Sequence, residues 1–81
     1  MSYKGPVYEV WHGPSNNLAG AFTTQDEALA LLRDEIALHG PDHGGVFVLG
    51  REYRGRFRVI AEGDDLVRLA LANQPAGAAA P

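Results

Sequence analysis

Cysteine is absent from the 81-residue chain. This absence excludes disulfide bonds, thiolate metal ligands and a cysteine nucleophile. Long apolar runs are also missing, since none approaches the roughly 18 residues that a membrane-spanning helix needs. The first ten residues, MSYKGPVYEV, lack the apolar core of a signal peptide. We therefore expect a cytoplasmic protein that does not bind membranes.

Basic residues are scarce and unevenly placed. Seven Lys and Arg residues against ten Asp and Glu residues give a net charge of −3, which argues against general nucleic-acid binding. Residues 46–60 are the exception, because this stretch holds four arginines and one glutamate, a local charge of +3. If this protein contacts an acidic partner or a phosphate, this stretch is where we expect the contact.

The distribution of apolar and turn residues predicts two β-hairpins. With 81 residues the chain suits one small domain, because two separate cores would each bury too little surface. The hydrophobic fraction of 46% is ordinary for a globular protein. VYEVWH (7–12) and LAGAF (18–22) favour strands, and GPSNN between them favours a turn. GGVFVLGREY (44–53) and RFRVIAEG (56–63) favour a second strand pair that turns near Arg54 and Gly55.

A helix is predicted between the hairpins, over TTQDEALALLRDEIALHG (23–40). Thr24 and Glu27 have the spacing of a capping box, in which hydroxyl and carboxylate satisfy free amide groups. Apolar residues recur at spacings of three and four and predict one buried face: Ala28, Leu29, Leu31, Leu32 and Ile36. His39 continues this stripe, and Gly40 in a left-handed conformation followed by Pro41 ends the helix.

The C-terminal part predicts a second, shorter helix and a tail. Asp64 or Asp65 suits the N-cap, and the helix extends to about Asn73. Residues 74–81, QPAGAAAP, offer only alanine for a core, so we predict a folded domain over 1–73 and a disordered tail. The resulting class is α+β, with the order β-β-α-β-β-α and a four-stranded antiparallel sheet carrying the main helix on one face. The last helix is too short to cover the other face, which we expect to be open.

Trp11 and Tyr8 are the first candidate partner-binding residues. Glu9 suggests that Val7 and Trp11 lie on the less buried side of the first strand, with Tyr8 and Val10 toward the helix. An exposed tryptophan beside apolar neighbours is a typical interface anchor. The alternative is that the single tryptophan lies in the core. The open face favours an interaction module that forms a homodimer.

The hairpin over 51–58 is the second candidate surface. Alternation places Arg54, Arg56 and Arg58 on one face and Phe57 on the other. Together with Arg51 and Tyr53, these side chains suit nucleic-acid binding, with arginines on phosphates and rings stacked on bases. The same arginines would suit an acidic protein, or would simply form a solvated sheet face that resists aggregation.

The three histidines of the chain are the candidate metal ligands: His12, His39 and His43. The motif HGPDHGG (39–45) matches no strong spacing motif of zinc ligands. A histidine in the last helical turn can instead form hydrogen bonds with the free carbonyl groups at the helix end, which explains His39 without a metal. We therefore expect no metal and no other cofactor. A histidine site remains an alternative that would require His12 to approach His43.

Enzymatic activity is not expected. The serine of GPSNN has no recognisable base, RGR and HGG lack the glycine spacing of phosphate loops, and a chain of this size has little room for a closed pocket.

The layout YEVWHG, AGAFTTQDEALALLRDEI and GGVFVLGREYRGRFRVI resembles a class of small bacterial ββαββ domains of unknown function. The shared features cover residues 7–62: a Phe-Thr-Thr segment before an acidic-capped helix, then a hairpin with a charged turn. They imply a fold and no functional residue. Residues 20–40 also resemble the sporulation-related repeat domains that bind peptidoglycan, which implies a minor alternative function. Those domains act outside the cytoplasm, and their second half has no counterpart here.

Overall fold

The computed structural model describes residues 5–72, which form one antiparallel sheet and three helices. The strands lie in the order β2-β1-β3-β4, and the α+β class predicted from the sequence is confirmed. In chain order the elements are β1 (Val7–His12), β2 (Asn17–Phe22), α1 (Gln25–His39), α2 (Pro41–Gly44), β3 (Phe47–Tyr53), β4 (Arg56–Glu62) and α3 (Gly63–Ala72). The predicted tail (74–81) and the predicted helix end at Asn73 lie outside the described residues.

The β3–β4 turn consists of Arg54 and Gly55. Both have positive φ values, 53° and 79°, a combination that matches the right-handed twist of the two strands. Gly55 adopts this conformation without steric cost, whereas Arg54 is one of only two non-glycine residues among the described ones with positive φ. The turn therefore holds Arg54 at the exposed tip of the hairpin.

Both edge strands carry a bulge. On β2, Ala19 is the extra residue, because Val10 pairs with Gly20 while Trp11 pairs with Leu18. On β4, Ile60 is the extra residue in the ladder with β3. A bulge interrupts the row of backbone groups that an edge strand offers to another chain. Association of two sheets edge to edge is therefore disfavoured.

The N-terminus of α1 is capped as the sequence indicates. The Thr24 hydroxyl oxygen accepts a hydrogen bond from the Glu27 backbone N–H at 3.2 Å. The Thr24 hydroxyl also donates to the Glu27 carboxylate at 3.1 Å. Glu27 thus bonds the hydroxyl rather than the backbone N–H of the cap residue, and only half of the predicted capping box forms.

The C-terminus of α1 differs from the prediction. Gly40 has φ 91° and ψ 164°, which is an extended conformation with positive φ and not the left-handed helical one. Pro41 does not simply stop the chain, because it occupies the first turn of α2, where its missing N–H is harmless. The side chain of His39 is 55% exposed, so His39 does not continue the buried stripe. Ile36 is the last buried residue of α1, and Gly44 of α2 packs on it.

All three helices lie on the same side of the sheet. α1 packs on β1 and β2, α3 packs on β3 and β4, and α2 contacts both longer helices. Between the helices and the sheet lies the core: Val10, Ala28, Leu29, Leu32, Ile36, Phe47, Leu49, Leu66, Val67 and Ala70. α3 begins at Gly63, so Asp64 and Asp65 occupy its first turn and neither is the predicted N-cap.

Within residues 5–72, no helix has both the length and the apolar character that crossing a membrane requires.

Candidate interaction surfaces

The side of the sheet away from the helices is covered by no described element, and we call it the outer face. Strand pairing assigns its members: Val7, Glu9, Trp11, Leu18, Ala21, Val48, Gly50, Glu52, Phe57, Val59 and Glu62. Three of the apolar side chains are close to half exposed, namely Leu18 at 48%, Phe57 at 47% and Val59 at 49%. Phe57 and Val59 lie two residues apart on β4, and Leu18 lies on the opposite edge strand β2. Large apolar groups exposed across one face of a sheet are typical of an interaction surface.

Trp11 lies on the inner strand β1, between Leu18 of β2 and Val48 of β3, and is half-buried. Its indole N–H donates to the Glu9 carboxylate at 3.0 Å, since residues two apart on a strand lie on the same side. This bond satisfies the only polar atom of the indole and fixes its orientation. The ring thus offers a pre-positioned apolar surface, as interface anchors do.

A shallow groove of about 450 Å³ crosses the outer face. Its lining combines apolar surface from Trp11, Val48 and Phe57 with the carboxylates of Glu9 and Glu52. Each of these carboxylates lacks a basic partner in the part of the chain that the structure describes. The groove therefore suits an apolar group that brings a positive charge with it.

Phe57 depends on a glycine in the neighbouring strand. A Cβ on Gly50 would lie only 2.0 Å from Cζ of the Phe57 ring. The ring therefore lies directly over the Gly50 backbone, an arrangement by which aromatic side chains shield glycine in sheets. Only glycine at this position lets Phe57 lie flat beside the groove.

Tyr8, which the sequence groups with Trp11 as a partner-binding candidate, is on the opposite side of the sheet. It pairs with Arg51 and packs against the core. Strand alternation separates it from its neighbours Val7 and Glu9. Tyr8 is therefore not part of the outer face.

A second surface, the arginine cluster, comprises Arg51, Tyr53, Arg54, Arg56 and Arg58. Arg51 pairs directly with Arg58, and Tyr53 pairs with Arg56, so all four lie on the helix side of the sheet. The guanidinium groups of Arg51 and Arg54 lie 5.4 and 5.2 Å from the centre of the Tyr53 ring, within cation–π range. Phe57 lies on the other face, which removes one of the two rings predicted to stack on bases.

The arginine cluster brings four positive charges together on one hairpin. None of its four arginines forms an ion pair with an acidic residue within residues 5–72. Like charges directly opposite each other across a ladder cost roughly 0.2–1 kcal/mol. The Arg51–Arg58 pair therefore opposes folding slightly, and an anion bound between the two side chains would remove that penalty.

The structure separates the three histidines. His12 lies at the end of β1, where its Nδ1 shares a hydrogen bond of 2.6 Å with the Ser15 hydroxyl. His39 and His43 lie together, with ring centres 4.6 Å apart, and both approach the Glu35 carboxylate. Glu35 is not among the ligands predicted from the sequence, although its spacing of four residues from His39 on a helix places the two side chains together.

Comparison with protein-family models, with curated proteins and with solved structures finds no match to this chain. The geometry of these surfaces is therefore the basis for the functional proposal.

Proposed function

We propose that the protein is a small interaction module that forms a homodimer through its outer face. The observation that carries this proposal is the exposed apolar surface around Trp11, on a sheet whose helices all lie on the other side. A domain of this size gains little stability from its own core, so covering a sheet face with a second copy contributes proportionally more.

The size of the outer face sets the expected affinity. Four strands spaced about 4.8 Å apart, with six or seven residues rising about 3.3 Å each, give a face of roughly 400 Å². Two such faces total roughly 800 Å², which is below the approximately 1,000 Å² of total buried surface that specific interfaces usually exceed, so the association belongs to the weak class. We expect a dimer with a dissociation constant of about 1 μM or weaker.

Charge supports a second copy as the occupant and suggests how it is oriented. The described charged residues of the outer face are all acidic, namely Glu9, Glu52 and Glu62. Arg54 at the hairpin tip forms no ion pair with any residue that the structure describes. If two sheets meet face to face with antiparallel strands, each hairpin tip lies over the far end of the other copy's β4. Arg54 of one copy then approaches Glu62 of the other, which provides the positive charge that the outer face lacks.

Val59→Arg tests the homodimer. Val59 is on the outer face and 49% exposed, so the monomer tolerates arginine there, whereas a dimer must bury two unpaired charges. We expect the dissociation constant from sedimentation equilibrium to rise at least tenfold, equivalent to about 1.4 kcal/mol or more.

Leu38→Arg is the matched control, because Leu38 is 75% exposed but lies on α1, away from the outer face. It should leave the dissociation constant unchanged. If Leu38→Arg weakens association as much as Val59→Arg, or if neither variant weakens it, the outer face is not the interface. A wild-type protein that is monomeric at millimolar concentration would also contradict the proposal.

The second candidate function is the binding of single-stranded nucleic acid by the arginine cluster. It is favoured by the direct Arg51–Arg58 pair and by the lack of acidic partners among the described residues. Backbone phosphates would neutralise the guanidinium groups, and Tyr53 would offer one ring for stacking. The net charge of −3 opposes long-range attraction, so binding should appear only at low salt.

Arg56→Ala tests this candidate in a fluorescence anisotropy titration with a labelled single-stranded oligonucleotide. Losing one phosphate contact should weaken binding and reduce the slope of log K against log salt by about 0.7. Arg68→Ala is the control, since Arg68 is exposed on α3 and pairs with Asp65. An unchanged anisotropy for the wild-type protein at low salt, or equal effects of the two substitutions, would eliminate this candidate while leaving the homodimer proposal intact.

A further inference from the structure

Three potential metal ligands converge where α1 meets α2, and we call them the histidine cluster: Glu35, His39 and His43. Oε2 of Glu35 lies 3.7 Å from Nε2 of His39 and 3.9 Å from Nε2 of His43. One ligand atom from each of the three residues lies within 4.8 Å of the other two. These distances are too long for hydrogen bonds, and within residues 5–72 neither imidazole ring is seen to form one.

The backbone explains why the three side chains meet. Glu35 and His39 are one turn apart on α1, and Gly40 then changes the chain direction with φ 91°. α2 starts again at once, held by hydrogen bonds from His43 and Gly44 N–H groups to the Gly40 carbonyl at 3.2 and 3.4 Å. His43 is thereby returned to the Glu35 side of α1.

Close packing fixes the position of α2. Gly44 is buried, and a Cβ on it would lie 2.6 Å from Cγ1 of Ile36. The backbone of α2 at Gly44 therefore packs directly against the Ile36 side chain of α1. The His43 ring also packs edge-on against Phe47 of β3, with centres 5.4 Å apart. His43 is thus held from two sides, while the side chain of His39 is 55% exposed at the end of α1.

We propose that the histidine cluster binds one Zn²⁺ ion through Nε2 of His39, Nε2 of His43 and a carboxylate oxygen of Glu35. Two imidazoles and a carboxylate form a ligand set that suits zinc. Ligand atoms about 2.0–2.1 Å from a tetrahedral zinc ion are roughly 3.4 Å apart. The observed 3.7 and 3.9 Å separations approach this value closely enough for side-chain rotation to complete the site.

The proposed site would have an open coordination position. Three protein ligands leave the fourth tetrahedral position for water or for a group from another molecule, as in zinc sites that exchange ligands. The ion would also connect α1 to α2 across the Gly40 bend. Zinc binding should therefore raise the melting temperature of the protein, because the ion binds the folded chain and not the unfolded one.

Isothermal titration calorimetry with zinc chloride tests the site, with the melting temperature as a second readout. We expect one ion per chain for the wild-type protein and a raised melting temperature. His43→Ala, His39→Ala and Glu35→Gln should each weaken binding at least tenfold, since losing even an outer-sphere partner of a metal site costs 10–100-fold. Each should also abolish the thermal shift.

Two control variants separate ligand loss from general damage. His12→Ala removes a histidine that packs on the same Phe47 ring, with centres 5.5 Å apart, but that lies outside the cluster. Asp34→Asn neutralises the carboxylate next to Glu35 in the chain. Both should bind zinc like the wild-type protein. No heat on zinc addition, or equal weakening by His12→Ala and His43→Ala, would overturn the proposed ligand set, whatever the oligomeric state.

Discussion

At the scale of single residues, glycines determine how closely the elements of this protein approach one another. Gly50 lets the Phe57 ring lie on the outer face, and Gly44 lets α2 pack on Ile36. Neighbouring Gly45 has no such role, because a Cβ there would meet its nearest atom, the Asp42 carbonyl oxygen, at an ordinary 3.5 Å. A side chain is therefore sterically excluded at Gly44 but not at the adjacent Gly45.

Gly44→Ala should destabilise the protein, whereas Gly45→Ala should not. The new methyl group at position 44 would overlap Ile36, and overpacking of this kind costs about 1–3 kcal/mol. Gly45 has φ −70° and ψ −10°, which alanine adopts readily. Urea denaturation followed by circular dichroism measures the two free energies of unfolding. Equal values would mean that α2 does not pack on α1 as described.

At the scale of elements, local sequence predicted what local interactions determine. The strand and helix types, the Thr24 cap and the turn at Arg54 and Gly55 follow from residues close together in the chain. The strand order β2-β1-β3-β4 was not predicted, because it depends on contacts between distant segments. α2 was also missed, since Gly40 and Pro41 read locally as a stop, and packing on Ile36 allows a further turn.

The candidate surfaces were predictable to the extent that strand alternation determines them. Alternation around Glu9 correctly placed Trp11 on the side away from the helices and Tyr8 toward them, although both were named as partner-binding residues. Glu35 was not included with His39 and His43, because the return of the chain at α2 is a tertiary feature. The prediction that His39 continues the buried stripe of α1 was wrong for the same reason, since its side chain is 55% exposed.

Thr24→Ala tests how far the cap stabilises α1. Its hydroxyl oxygen accepts from the Glu27 N–H, and losing such a cap costs about 1 kcal/mol. Thr24→Ser keeps the hydroxyl and should stay within a few tenths of a kcal/mol of the wild-type value. Thermal and urea unfolding of both variants would measure the difference. If the alanine and serine variants unfold alike, the cap bond contributes nothing to stability.

At the scale of the whole molecule, the protein is one-sided. Its helices and core occupy one side of the sheet and its apolar outer face occupies the other. The arginine cluster, which forms no ion pair within residues 5–72, lies at the β3–β4 hairpin. Homodimerisation through the outer face would bury the apolar surface and make the apparent stability depend on concentration. The proposed zinc site lies away from the outer face and could act in the dimer. In the arginine cluster, Arg51, Arg56 and Arg58 lie on the helix side of the sheet, whereas Arg54 would approach Glu62 of the other copy.

The most direct test of the homodimer is the emission of Trp11 as the protein is diluted. The chain contains a single tryptophan, so its fluorescence reports only on the outer face. We expect the emission maximum to move to longer wavelength as the protein is diluted from millimolar to micromolar concentration, because Trp11 becomes exposed to water. Val59→Arg should show the long-wavelength maximum across the same range. An emission maximum that is the same for both proteins at all concentrations would contradict self-association through this face.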